Sequence, residues 1–126
     1  MEFVQTSKAP SAIGPYSQAV VSNGMVYTSG QIALKADGSD EYLSEAVEVQ
    51  AVQVLKNLEA VLQEAGSDLS KVIKTTIFLA DMADFASVNE IYEEAFAEHK
   101  PARSTVAVKT LPKNALVEID AIALVK

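Results

Sequence analysis

Two short apolar stretches stand out near the start of the chain, 17–22 and 25–32, and predict two β-strands. Asn23-Gly24 between them is a turn pair that tolerates the positive backbone angles of a tight hairpin. The polar run 35–41, containing Asp37-Gly38-Ser39, reads as a loop. From about Ser44 the period lengthens, and Val47, Ala51, Val54, Leu58, Leu62 and Ala65 fall on one face of a helix. Ser44 is placed to cap its N-terminus, and Gly66 to supply the left-handed residue after its last turn. Residues 72–79 are dense in β-branched side chains and predict a further strand. A second helix would start at Asp84 and carry the stripe Phe85, Val88, Tyr92, Ala95 and Phe96. Pro101 would stop it, since its ring disfavours helical geometry at Lys100. Strands at about 102–108 and 116–125, joined by Leu111-Pro112-Lys113-Asn114, complete the order β-β-α-β-α-β-β. That order predicts an α+β sheet with both helices on one face. No repeat, low-complexity tract or linker interrupts it, and residues 1–126 are expected to form one domain.

The last strand presents two unlike faces. Val117, Ile119, Ala121, Ala123 and Val125 are uniformly apolar and suit a surface covered by the helices. Leu116, Glu118, Asp120, Ile122 and Leu124 are too apolar for open water and too acidic for a dry core. This face is expected to meet another subunit around a wet pocket. In the preceding strand Arg103, Thr105 and Ala107 alternate with Ser104, Val106 and Val108, and Arg103 is expected to point to the same side as Glu118.

Composition narrows the class. With 49% hydrophobic and 21% charged residues the chain is globular in character, and no apolar run is long enough to cross a bilayer. Met1-Glu2-Phe3-Val4 lacks a basic segment followed by an apolar stretch, so a cytoplasmic protein is expected. The absence of cysteine removes disulfides, thiolate nucleophiles and cysteine-bound metals. Ten basic residues against seventeen acidic ones give a net charge of −7, a field that repels nucleic acid and small carboxylates alike. An anionic metabolite would need a local cation, and Arg103 is the only arginine.

The planar fork of Arg103 can hold a carboxylate through two parallel hydrogen bonds, or form a structural salt bridge with Glu118 or Asp120. Glu118, beside a cation and apolar neighbours, can orient water or shuttle a proton, or merely pair with Arg103. The hydroxyls of Tyr16 and Ser29 can bond a substrate or a water, yet both residue types are common at strand ends for structural reasons alone. His99, the one histidine, falls in the last turn of the second helix, where a cation complements the dipole, and a surface role is expected. One histidine and no cysteine give no support for a transition-metal site or a Ser-His-Asp triad, and no phosphate-binding glycine loop is present. The scattered lysines read as a solvated surface.

Several segments carry a family resemblance. They are Ala12-Ile13-Gly14-Pro15-Tyr16-Ser17-Gln18-Ala19, Thr28-Ser29-Gly30-Gln31-Ile32, Val72-Ile73-Lys74-Thr75-Thr76-Ile77-Phe78-Leu79, Asp84-Phe85-Ala86-Ser87-Val88-Asn89 and Pro101-Ala102-Arg103-Ser104. With the tail Leu116-Val117-Glu118-Ile119-Asp120-Ala121-Ile122-Ala123, they span nearly the whole chain. In this order and spacing they resemble the RidA family, also called the YjgF family. The resemblance implies a homotrimer of subunits with the fold of the bacillus-type chorismate mutase, sheets facing inward and helices outward. It implies a deaminase needing no cofactor and no metal, which hydrolyses small carboxylate-bearing 2-enamine and 2-imine acids such as 2-aminoacrylate to 2-keto acids and ammonia. The sites would lie in clefts between subunits, with Arg103 on the substrate carboxylate and Glu118 on the water. Tyr16, Ser29, Gly30 and Asn89 match further positions associated with that site.

The chain departs from the family pattern at two places. Members commonly have cysteine two residues after the arginine where this chain has Thr105, so a thiol takes no part, although the Thr105 backbone carbonyl could still contact a ligand. The stretch Glu98-His99-Lys100-Pro101 is shorter than in many members and lacks their aromatic residue before the proline. Three other functions compete with deamination. One is a keto-acid or amino-acid sensing module without turnover. Another is an endoribonuclease-type translation inhibitor, which the net charge and the missing aromatic-basic surface weigh against. The third is a chaperone-like holdase, for which no residue speaks.

Overall fold

A computed structural model describes residues 1–126. Its strands are β1 (Glu2–Val4), β2 (Ala19–Ser22), β3 (Met25–Thr28), β4 (Val72–Leu79), β5 (Ala102–Ala107) and β6 (Val117–Leu124), and its α-helices are α1 (Val47–Glu64) and α2 (Phe85–Phe96). They form one mixed sheet in the order β1-β2-β3-β6-β4-β5, antiparallel throughout except for the parallel pair β4–β5. The α+β class and the element order stand as expected, with β1 added at one edge. Asn23 and Gly24 take φ of 52° and 75°, the turn geometry that lets β2 and β3 pair directly. β3 is shorter than the apolar stretch 25–32 suggested. After Thr28 the chain leaves β2, and Gln31 bridges across to Ile119 of β6 instead.

The core lies between one face of the sheet and the helices. Val47, Ala51, Val54, Leu58 and Leu62 of α1 are buried, as are Val117, Ile119, Ala121 and Ala123 of β6. Leu116 does not join Glu118 on the other face; it packs against this core. α1 ends as expected at Gly66, φ 83°, with Ser67 N–H bonded to the Leu62 carbonyl and Gly66 N–H to that of Gln63. Its start differs. Ala46 is the N-cap without a side-chain bond, and Ser44 closes a short 3-10 turn by donating to the Glu41 carbonyl. Asp84 likewise caps nothing, because its own backbone is already helical, and Asp81 accepts from Ala83 N–H instead. α2 stops at Phe96, where Ala97 takes φ 55°, well before Pro101 is reached. His99 therefore lies beyond the helix, half-buried, with Nε2 hydrogen-bonded to the Val72 carbonyl rather than free at the surface.

The other face of the sheet is uncovered. Phe3, Val20, Tyr27 and Ile122 form one row across it, and Phe3, Tyr27, Val106 and Leu124 are exposed. No helix is long and apolar enough to cross a membrane.

Candidate active site

The strand register decides where the two charged candidates point. Thr75 stands between Arg103 and Ala121, and Phe78 stands between Val106 and Glu118. Residues in one such row share a face, and successive residues alternate. Arg103 is therefore on the helix side and Glu118 on the uncovered side, contrary to the expectation that they point the same way. β4 also runs between their strands, a further separation of about 10 Å at the usual strand spacing. A salt bridge from Arg103 to Glu118 or Asp120 within one chain is ruled out.

Glu118 lines a cleft of about 340 Å³ with Tyr16, Gly30, Gln31, Pro112 and Lys113. Gly30 makes room for it, since a Cβ there would come within 2.7 Å of the Glu118 carboxyl carbon. The carboxylate is in no ion pair. Burial, and secondarily the charge of Asp120 on the same face, holds its pKa above the usual carboxylate range. Burial raises the pKa of Asp120 too, against a backbone bond from Thr76 and the nearby Lys74. Tyr16 is 55% exposed, and its hydroxyl accepts from Ile13 N–H at 3.4 Å, which leaves the O–H free to donate into the cleft. Ser29 is different: its hydroxyl donates to the Ser17 carbonyl and fastens the chain after β3, so its expected substrate contact is not among the groups facing the cleft.

Arg103 lines a second cavity, of about 350 Å³, with Asn89, Tyr92, His99, Lys100 and Pro101. Its Nη1 donates to Asn89 Oδ1 at 2.7 Å, and the guanidinium lies 4.9 Å from the Tyr92 ring centre and 5.5 Å from that of Phe85. Phe85 is thus a platform for the cation rather than part of the core stripe. Tyr92 is fixed in turn by a buried bond between its hydroxyl and Thr75 Oγ1, 2.7 Å. No carboxylate pairs with Arg103, so most of its donors remain available. Thr105 is on the same side of β5, but its hydroxyl oxygen is buried and has no hydrogen-bond partner.

A sequence profile of the endoribonuclease L-PSP family matches residues 6–125. The chain belongs to this family. It is 54% identical over 125 residues to a RutC family protein of Synechocystis sp., covering 98% of this chain and 96% of that one. It is 46% identical over 121 residues to the human 2-iminobutanoate/2-iminopropanoate deaminase, covering 96% and 88%. The structure of Escherichia coli TdcF with bound serine superimposes with a TM-score of 0.93 at 41% identity, over 100% of both chains. The resemblance to RidA proteins read from the sequence is borne out at the level of the family and its fold.

Sequence reasoning overlooked three buried amides that brace the segments around the Glu118 cleft. Gln18 accepts from Thr6 N–H at 2.7 Å and donates to the carbonyls of Thr6 and Pro10, pinning the segment that leads to Tyr16. Asn57 of α1 donates to the Ile32 and Leu34 carbonyls at 3.1 and 2.8 Å, holding the wall next to Gly30. Gln50 joins Leu43 and Glu45 to Leu116 N–H at the entry to β6. A signal was available: Gln50 and Asn57 are polar residues inside the otherwise apolar stripe of α1.

Proposed function

We propose that this protein hydrolyses small 2-imino acids, and the 2-enamino acids that tautomerise to them, to 2-keto acids and ammonia, in clefts shared between the subunits of a homotrimer. The observation that carries the reading is the separation of Arg103 from Glu118. Each is an unpaired charged group lining its own cavity, and the two lie on opposite faces of one sheet. The cleft of Glu118 has no guanidinium to clamp a carboxylate, and the cavity of Arg103 offers as its one carboxylate the exposed Glu93. A second copy, whose Glu118 face meets the Arg103 edge of the first, unites them. The exposed apolar residues of the uncovered face and the unpaired outer edge of β5 are surfaces suited to such a contact.

In this reading Arg103, preset by Asn89 and stacked on two rings, takes the substrate carboxylate through its fork. Water adds to the carbon of the protonated imine to give a carbinolamine, and Glu118 accepts the proton lost by the water. The same proton passes to nitrogen; as the carbon–nitrogen bond breaks, Glu118 takes the hydroxyl proton and the oxygen becomes the keto carbonyl, and the departing ammonia carries that proton away as ammonium. A carboxyl whose pKa is raised by burial suits this shuttle, because it holds the proton long enough to deliver it. Tyr16 donates to the water or substrate oxygen, Gly30 leaves the space Glu118 needs, and Thr105 offers its backbone on the edge strand. Positioning and acid-base assistance suffice for an electrophile this reactive, so no cofactor is called for. The name of the human relative supports the reaction class. The family's endoribonuclease description is weighed against a chain of net charge −7 with one arginine, which lacks the basic stripe that RNA binding draws on.

The test is to generate 2-aminoacrylate in situ from serine with a dehydratase and follow ammonia or pyruvate release. Added protein should accelerate release. No acceleration, with keto-acid binding retained, would give the cleft to a sensing module instead.

A further inference from the structure

The loop between β5 and β6 carries two consecutive non-glycine residues in the left-handed region, Lys113 at φ 55° and Asn114 at φ 56°. Asparagine tolerates that region, whereas lysine brings its Cβ against a backbone carbonyl at a steric cost that glycine avoids. The turn itself makes no use of the lysine side chain. Its ends are anchored by buried Leu111 and Ala115, and it closes through Asn114 N–H to the Leu111 carbonyl and Ala115 N–H to that of Pro112, 3.0 and 3.1 Å. The Lys113 ammonium is not compensated elsewhere either, since the chain's ion pairs are Lys35–Glu41 and Lys126–Asp68. What the strained residue does is line the Glu118 cleft, where it is the only cation and Glu118 the only acid.

We infer that Lys113 is a substrate-capture residue: it draws the carboxylate of an anionic imino or keto acid into the Glu118 cleft, from which Arg103 takes it over. The inference rests on the reading given above for the same site. Its motive is electrostatic. A chain of net charge −7 repels a small carboxylate, and the cleft that holds an acid repels it further. An ammonium on a flexible stem attracts as a point charge without the two-pronged grip of a guanidinium, so it gathers the anion without retaining it. Lys113 is thereby a specificity residue for anionic substrates and takes no part in bond making or breaking.

The experiment compares wild type with Lys113→Gln and Lys113→Glu in the intact oligomer, using 2-iminobutanoate generated in situ from threonine, and titrates each with 2-oxobutanoate by calorimetry. At low ionic strength Lys113→Gln should lower kcat/KM and weaken keto-acid binding several-fold, and Lys113→Glu more, with kcat falling less than kcat/KM. The differences should shrink in about 0.5 M salt, where the screening length falls to a few ångström. Lys113→Gly is the folding control: it relieves the left-handed strain, so its Tm should rise by a few degrees while the capture loss persists. Wild-type kcat/KM and Kd in both the Gln and Glu variants at low salt would overturn the inference alone. Weakened keto-acid binding in those variants, in a wild-type protein without turnover, would sustain capture and sink the deaminase reading.

Discussion

The carboxyl group of Glu118 rests directly on Gly30, whose missing Cβ would lie 2.7 Å from the carboxyl carbon. Gly30 is not a positive-φ residue, so space rather than backbone freedom is what its glycine supplies. Gly30→Ala should therefore push the carboxylate out of the cleft while the sheet stays intact. A displacement of about 1 Å at a reacting group costs on the order of a hundredfold. We expect kcat to fall by that order, with Tm close to wild type. An alanine variant with full turnover would show that the Glu118 position is not critical.

Arg103 reaches solvent over a platform of Phe85 and Tyr92 with one donor committed to Asn89. If the remaining donors clamp a carboxylate, Arg103→Lys should lose nearly as much activity as Arg103→Ala, because an ammonium lacks the fork. Each charge-assisted bond is worth roughly 1.5 to 3 kcal/mol. Asn89→Ala should raise KM with less effect on kcat, since it frees the guanidinium without removing it. Steady-state kinetics of the three variants separate a geometric requirement from simple charge.

Periodicity made most of the fold legible: the α1 stripe, the Asn23-Gly24 hairpin and the apolar face of β6 are local patterns with one structural solution. β1 was not, because three residues at a sheet edge carry too little alternation to stand out. The same limit applies to the site. Alternation in β5 established that Arg103 and Thr105 share a side, but which side is a long-range fact set by the parallel pairing of Arg103 with Thr75. The helix caps failed at Ser44 and Asp84 because short 3-10 turns precede both helices and consume the local hydrogen bonds. Gln18, Gln50 and Asn57 acquire meaning only from loops distant in sequence.

Burial, and after it the Asp120 charge, raises the Glu118 pKa, which gives a pH dependence of definite sign. The folded state binds the proton more tightly than the unfolded state. Stability associated with Glu118 is thus fully present below the ordinary carboxylate range and lost as pH rises through the raised value. Glu118→Gln has no proton to lose. Its urea midpoint should match wild type in acid and exceed it above that window, while kcat falls far more than keto-acid affinity. Parallel midpoints across the range would mean that Glu118 is not desolvated in the folded protein.

Thr105 holds a buried hydroxyl oxygen without a partner. Leaving such a group unsatisfied costs at least about 1 kcal/mol, and an apolar replacement of the same shape recovers it. Thr105→Val should therefore raise the unfolding free energy by about 1 kcal/mol with activity unchanged, since any role in the site falls to the backbone. Chemical denaturation with an activity assay decides it. Loss of turnover on removing the hydroxyl would assign that oxygen a ligand.

The opposite facing of Arg103 and Glu118 makes the shared cleft testable without a structure of the oligomer. An Arg103→Ala subunit retains an intact Glu118, and a Glu118→Gln subunit retains an intact Arg103, so each variant alone is defective at every cleft. In the proposed closed ring each cleft would take its arginine from one copy and its glutamate from the next. Random equal mixing pairs an intact arginine with an intact glutamate at about one cleft in four, so co-refolded rings should recover about a quarter of wild-type activity. Light scattering on the mixed product establishes that rings have formed and that both parents assemble. If verified mixed rings regain nothing while each variant still assembles, the two residues do not meet across an interface. The proposed reaction would then have to run in a single chain, in the Glu118 cleft with Lys113 as its cation or in the Arg103 cavity with the exposed Glu93 as its acid.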